Sequence, residues 1–199
     1  MLSNYETCAV LVGMGRSGKT AMLMVNQGMP FPDVYIPTVF ENYAHRTPLR
    51  KKGVLELSLW DTAGQDDFDR LRPLSYADSH VVIIVYDVTR RESLDLVTDK
   101  YLEEARHFCG RAPIILVGNK TDLRAEWERT DPARAAETVS YDMGAAVADY
   151  IGAKFIECSA KDGTNVREVF DLAARTAAKC KKVPRPGSGP RRHQTCRLS

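Results

Sequence analysis

The sequence predicts an α/β fold: a six-stranded, mostly parallel sheet with one antiparallel edge strand and helices on both faces. Three observations predict it. Short apolar runs alternate with helical patterns, which implies parallel strands joined by covering helices. A glycine-rich turn, Gly13–Thr20, stands between the first apolar run and the first helical pattern. One stretch breaks the alternation: Asn42–Lys52 leads into Leu55–Trp60 around Lys51-Lys52-Gly53, as a hairpin at a sheet edge would.

The remaining elements follow from local pattern. Aliphatic and β-branched runs place strands at Cys8–Val12, Leu55–Trp60, Val81–Tyr86, Ile114–Val117 and Lys154–Glu157, with Asn42–Lys52 as the edge strand. A helix starts at Ala21-Met22-Leu23-Met24-Val25, and amphipathic helices cover Ser93–Cys109, Ser140–Tyr150 and Val166–Lys179. Thr164-Asn165 is placed to cap the last of these, with Glu168 near capping-box spacing. The charged, Ala-rich Ala125–Thr138 reads as a short surface helix inserted between strand and helix.

A chain of 199 residues, 44% hydrophobic and 27% charged, has an ordinary globular composition. No apolar run approaches the roughly 20 residues that span a bilayer, and the start of the chain lacks a secretory pattern. Five cysteines without metal-ligand spacing fit a reduced, cytoplasmic chain. The net charge of +2 hides an asymmetry: seven Lys or Arg and no acid lie in Lys179–Ser199, leaving 21 basic against 26 acidic side chains before it. The expected organisation is one domain over 1–178 and a basic tail over 179–199, flexible because of its Pro and Gly density.

Gly13-Met14-Gly15-Arg16-Ser17-Gly18-Lys19-Thr20 fits the phosphate-loop pattern G-x-x-x-x-G-K-[ST]. Backbone N–H groups of such a loop converge on a β-phosphate, and the helix N-terminus favours its charge. Lys19 adds a full positive charge, and Thr20 offers its hydroxyl to Mg²⁺. Asp61-Thr62-Ala63-Gly64 follows a strand, where an acid can hold Mg²⁺ through a water and Gly64 can bring its N–H to a γ-phosphate. Gln65 then stands where it can orient an attacking water.

Asn119-Lys120-Thr121-Asp122 and Ser159-Ala160-Lys161 each follow one of two consecutive strands. The Asp122 carboxylate can accept two parallel hydrogen bonds from the N1–H and amine of guanine, which adenine cannot offer. Lys120 can lay its aliphatic stem across the base, and the Ser159–Lys161 turn can give a backbone N–H to O6. Guanine is therefore the expected base, and an ATP-dependent reading fails at Asn119–Asp122. All these motifs belong on loops at the carboxyl edge of the sheet.

These motifs together resemble the Ras superfamily of small GTPases, and within it the Rho family. Tyr35–Tyr43 resembles the Rho first switch, Trp60–Tyr76 the second, and Ala125–Thr138 stands where the Rho insert helix belongs. The resemblance covers about residues 7–180. It implies a Ras-like P-loop NTPase fold and a monomeric switch that cycles between GDP and GTP with Mg²⁺. Thr38 would complete Mg²⁺ coordination and bond the γ-phosphate, Tyr35 would lid the phosphates, and Phe31 would pack edge-on against guanine. Hydrolysis would rest on Gln65, Lys19 and Thr38. Effectors of cytoskeletal or membrane dynamics would dock on Tyr35–Tyr43 and Gln65–Tyr76, alongside activating proteins, exchange factors and a dissociation inhibitor.

The chain departs from the Rho pattern at Met14 and Arg16, where Asp and a small residue are usual, and its hairpin is one residue longer. Arg16, beside the phosphates, leaves a second reading: a fast-exchanging or hydrolysis-poor, largely GTP-bound effector scaffold. The chain ends Cys196-Arg197-Leu198-Ser199, the length of a prenylation box, with Arg197 where an aliphatic residue is usual. A lipid on Cys196 and the basic tail would together hold the cytoplasmic face of the plasma membrane or of endomembranes. No aromatic residue is interleaved with the basic ones to stack bases, so a nucleic-acid partner is not expected.

Overall fold

A computed structural model of the chain describes residues 5–34, 40–49, 53–62, 72–76 and 79–180. Strand β1 (Tyr5–Val12) lies inside the sheet, parallel to β3 (Gly53–Thr62) on one side and β4 (Val81–Asp87) on the other. Beyond β4 follow β5 (Ile114–Asn119) and β6 (Lys154–Glu157), both parallel. Beyond β3 lies the antiparallel edge strand β2 (Phe40–Leu49), giving the order β2-β3-β1-β4-β5-β6. The mixed six-stranded sheet matches the expectation. The edge strand, expected over Asn42–Lys52, begins two residues earlier and ends at Leu49, which pairs with Gly53.

Both faces of the sheet are covered, so successive strand residues enter opposite cores. Ala9, Leu11, Ile83, Val85, Ile115 and Val117 pack with α1 (Lys19–Asn26) and α8 (Val166–Ala177). Val10, Val12, Ile84, Tyr86, Ile114 and Leu116 pack with α3 (Arg91–Leu96), α4 (Leu102–Cys109) and α7 (Tyr141–Ile151). A short α2 (Arg72–Ser75) precedes β4.

Four expectations need correction. The helix expected over Ser93–Cys109 starts at Arg91 and is interrupted by a π-helical turn, Val97–Tyr101, across which Leu94, Val97, Tyr101 and Ala105 all reach the core. The insert expected over Ala125–Thr138 is two helices, α5 (Thr121–Thr130) and α6 (Pro132–Ala136). The break comes at Asp131-Pro132, where Pro opens α6 and the Asp131 side chain accepts from Arg134 N–H. The capping box at α8 is not formed. Asn165 has φ 57 and spends its side-chain N–H on Glu157 O instead. Lastly, α8 ends at Ala177, short of Lys179.

The edge strand is bound to α8 by polar contacts. His45 bridges Asn26 Nδ2 at 3.1 Å and Asp171 Oδ1 at 2.9 Å, and Thr47 Oγ1 donates to the same Asp171 oxygen at 2.6 Å. His45 and Thr47 are both buried.

Candidate functional site

The turn after β1 must bring the chain back across β4 without a side chain. Gly13 has φ 141, and a Cβ there would stand 2.0 Å from Val85 O. Gly18, φ 91, opens α1, and its Cβ would stand 2.2 Å from Asn119 Nδ2. Between them Arg16 adopts φ 66 and is exposed. Lys19 folds back beneath this loop, donating to Gly13 O at 2.8 Å and Met14 O at 3.2 Å. Burial pushes its ammonium down to about 8, an effect that the Asp61 charge partly offsets.

Two of the three magnesium candidates meet. Thr20 Oγ1 donates to Asp61 Oδ2 at 2.6 Å, although 41 residues separate them. Asp61 is fully buried, and its Oδ1 has no partner among the described residues. Burial raises its carboxyl to about 6. A hydroxyl and an orphaned carboxylate oxygen beside a phosphate loop form a hard oxygen donor set that suits Mg²⁺. Thr62 Oγ1 donates to Leu11 O at 2.6 Å and fixes this end of β3 against β1.

The other end of the site grows from β5. Asn119 is fully buried and joins three loops: Nδ2 donates to Ser17 O at 2.9 Å, while Oδ1 accepts from Ala160 N at 3.1 Å and Cys158 Sγ at 3.5 Å. Its amide thus braces the pocket from below. The Ser159 N–H goes to Thr164 O and the Ala160 N–H to Asn119, so an O6 bond from Ala160 would be shared with Asn119. Asp122 Oδ1 accepts from Ser159 Oγ at 2.7 Å. Arg124, one short step along α5, moors that helix by pairing with Glu157 and donating to Val139 O at 2.8 Å.

One cleft of about 770 Å³ runs between these ends, well within the range of small-molecule sites. Gly15, Arg16, Gly18, Lys19 and Thr20 line it together with Phe31, Asn119, Lys120, Asp122, Ala160 and Lys161. Phe31 is 39% exposed and lines the cleft. Gly13, Ser17, Asp61 and Ser159 do not line it and act from behind. Tyr35, Thr38, Gly64, Gln65 and Cys196 lie outside the described residues. The sequence reading missed Asp87, at the end of β4, whose carboxylate receives Lys120 Nζ at 2.6 Å. Its signal was an acid ending a strand at the same sheet edge as every other motif.

The Gln65–Tyr76 segment, expected to meet effectors, ends in anchors. Arg72 is buried and pairs with Glu104 at 2.7 Å, and Tyr76 Oη donates to the same carboxylate at 3.0 Å.

Comparison with known proteins agrees with this geometry. The Ras family model matches residues 8–179. GTP-binding protein rho1 of Schizosaccharomyces pombe is 47% identical over 202 aligned residues, covering all of both chains. GTP-binding protein RHO1 of Saccharomyces cerevisiae is 49% identical over 171 residues, 84% of this chain and 81% of that one. Rho-related GTP-binding protein RhoB of Homo sapiens is 50% identical over 171 residues, 84% of this chain and 87% of its own. The family-model match and identities of 47–50% over most of the length of these relatives place the chain in the Rho family of Ras-type small GTPases.

Proposed function

We propose that the cleft binds GDP and GTP with Mg²⁺, and that the chain hydrolyses GTP as a switch whose two states differ in the Tyr35–Tyr43 and Gln65–Tyr76 segments. The observation that carries this is the single cleft in which Lys19 and Thr20 stand at one end and Asp122 and Lys120 at the other. Lys19 meets the β- and γ-phosphate oxygens, and the loop N–H groups face the β-phosphate. Thr20, Thr38 and, through a water, Asp61 would hold the metal, which would supply neutralisation of the phosphate charge. Gln65 aligns the attacking water, and loss of the γ-phosphate releases Thr38 and Gly64.

No arginine of the motif loops is assigned as a finger in cis, so turnover alone is slow, on the order of 10⁻⁴ to 10⁻³ s⁻¹ as in Ras-type GTPases generally, and an activating protein raises it about 10³–10⁵-fold. Single-turnover hydrolysis by the purified chain, with and without a Rho-type activating protein, tests this. Failure to hydrolyse GTP in both conditions overturns it. Among the described residues nothing favours the GTP-loaded scaffold over the switch.

Asp61 makes magnesium binding sensitive to acid. With its carboxyl raised to about 6, the deprotonated form that holds the metal is depleted below pH 6, two units above the point expected of an exposed aspartate. The Mg²⁺ concentration needed to retain GDP is expected to rise about tenfold per pH unit below 6 and to be flat from 7 to 8. Without ligands the sign is reversed for stability. A carboxyl with a folded value above its unfolded one contributes most below pH 4 and loses that contribution as pH rises through 6. Magnesium titrations of GDP release from pH 5 to 8 check the first, and urea melts of the nucleotide-free protein check the second.

The tail is read as a membrane anchor. No helix among the described residues is long and apolar enough to cross a membrane. A prenyl group on Cys196 and seven basic side chains supply two weak signals that add, the basic ones worth about 1 kcal/mol each near anionic lipid. Cys196→Ser is expected to move the protein from the membrane to the soluble fraction on flotation; unchanged flotation dismisses the lipid.

A further inference from the structure

We propose that Asp87 is a positioning residue for the base, fixing the Lys120 ammonium so that the lysine stem lies in place along the cleft before nucleotide enters. This rests on the assignment of Lys120 to the base, made above.

The carboxylate is built in rather than incidental. Asp87 ends β4 opposite Asn119 at the end of β5, and Val88 N donates to Asn119 O at 3.0 Å. Its backbone is held by Ser93, whose Oγ accepts from Asp87 N at 2.9 Å. Its side chain is only 3% exposed, and both oxygens are used. Oδ1 accepts from Thr89 N at 2.9 Å and Thr89 Oγ1 at 2.7 Å, closing a tight turn. Oδ2 is left for Lys120 Nζ at 2.6 Å.

Lys120 itself holds φ 72 as the residue before α5, so its backbone direction is set as well. With both ends of the side chain fixed, Lys120 lines the same cleft as Asp122. An unanchored lysine would have to give up its rotamer freedom when the base arrives, and a longer dwell time is the return on doing so beforehand. Stacking on the stem is indifferent to the edge of the base, so Asp87 governs how long a base stays and Asp122 governs which base it is.

Release of fluorescent GDP from the full-length, Mg²⁺-loaded protein tests the proposal. Asp87→Asn retains an oxygen for Thr89 and turns an N–H₂ toward Lys120, so the turn survives and the ion pair does not. It is expected to raise the release rate about tenfold, and Asp87→Ser, which also ends the pair, to do the same. Thr89→Val, which weakens only the turn, is expected to stay within about twofold. Asp87→Asn should add nothing in a Lys120→Met background, because both act through the same stem. The proposal is overturned if Asp87→Asn and Asp87→Ser release GDP at the original rate, or if the Asp87 and Lys120 effects multiply. The GDP-over-ADP preference of the unaltered protein is measured alongside: its absence sinks the base assignment, whereas its presence with an unaltered release rate in Asp87→Asn sinks the Asp87 role alone.

Discussion

Asp122→Asn is expected to weaken GDP binding about 10³-fold while leaving the fold intact. The carboxylate accepts from Ser159 Oγ at 2.7 Å through one oxygen, and an asparagine oxygen can keep that bond. The other atom becomes an N–H₂ facing the N1–H and amine of guanine, so a donor meets donors. Loss of one charged hydrogen-bond partner in a desolvated pocket costs about 2–5 kcal/mol, and a 10³-fold loss corresponds to about 4 kcal/mol. Xanthine replaces the guanine amine with a carbonyl, and xanthosine diphosphate should therefore bind the variant more tightly than GDP does. Calorimetry with GDP and XDP on both proteins checks the reversal. An undiminished GDP affinity would remove Asp122 from the site.

Gly13→Ala is expected to be the most damaging substitution of a small residue in the cradle, costing about 4 kcal/mol or more of stability. Two effects combine. The backbone is at φ 141, a conformation that side chains rarely adopt, and the new methyl would lie 2.0 Å from Val85 O. That oxygen belongs to β4, which is buried along its whole length and pairs with β1 from Ala9 to Val12. Relief requires the two central strands to part just where the phosphate loop leaves the sheet. Gly28→Ala is the control. Its φ is 79, but none of the described residues lies within 4 Å of the added carbon, so only backbone strain of about 1–2 kcal/mol remains. Urea denaturation of both variants separates collision from strain; equal losses would mean that the Val85 contact yields cheaply.

Much of this site is written in short stretches of chain. The phosphate loop is legible because one turn must combine glycines at Gly13 and Gly18 with Lys19 and Thr20, and the physics that demands them acts within eight residues. The strands are legible because both faces of the sheet are covered, which leaves runs such as Val81–Val85 uninterrupted. The parts that were missed or misread depend on distant partners. Asn119 lines the cleft as expected, but its bond to Ser17, 102 positions away, was not legible. Asp87 gains its meaning from Lys120, 33 positions on. Asn165 could have capped α8 and instead reaches Glu157 on β6. Local pattern carries no record of such choices, because each is a competition between a neighbour and a residue that only folding brings close.

Asp171 on α8 holds His45 and Thr47 of β2, and His45 in turn meets Asn26 of α1, so the edge strand and the last helix are tied into one lever arm. A displacement of β2 is therefore passed directly to α8 through Asp171.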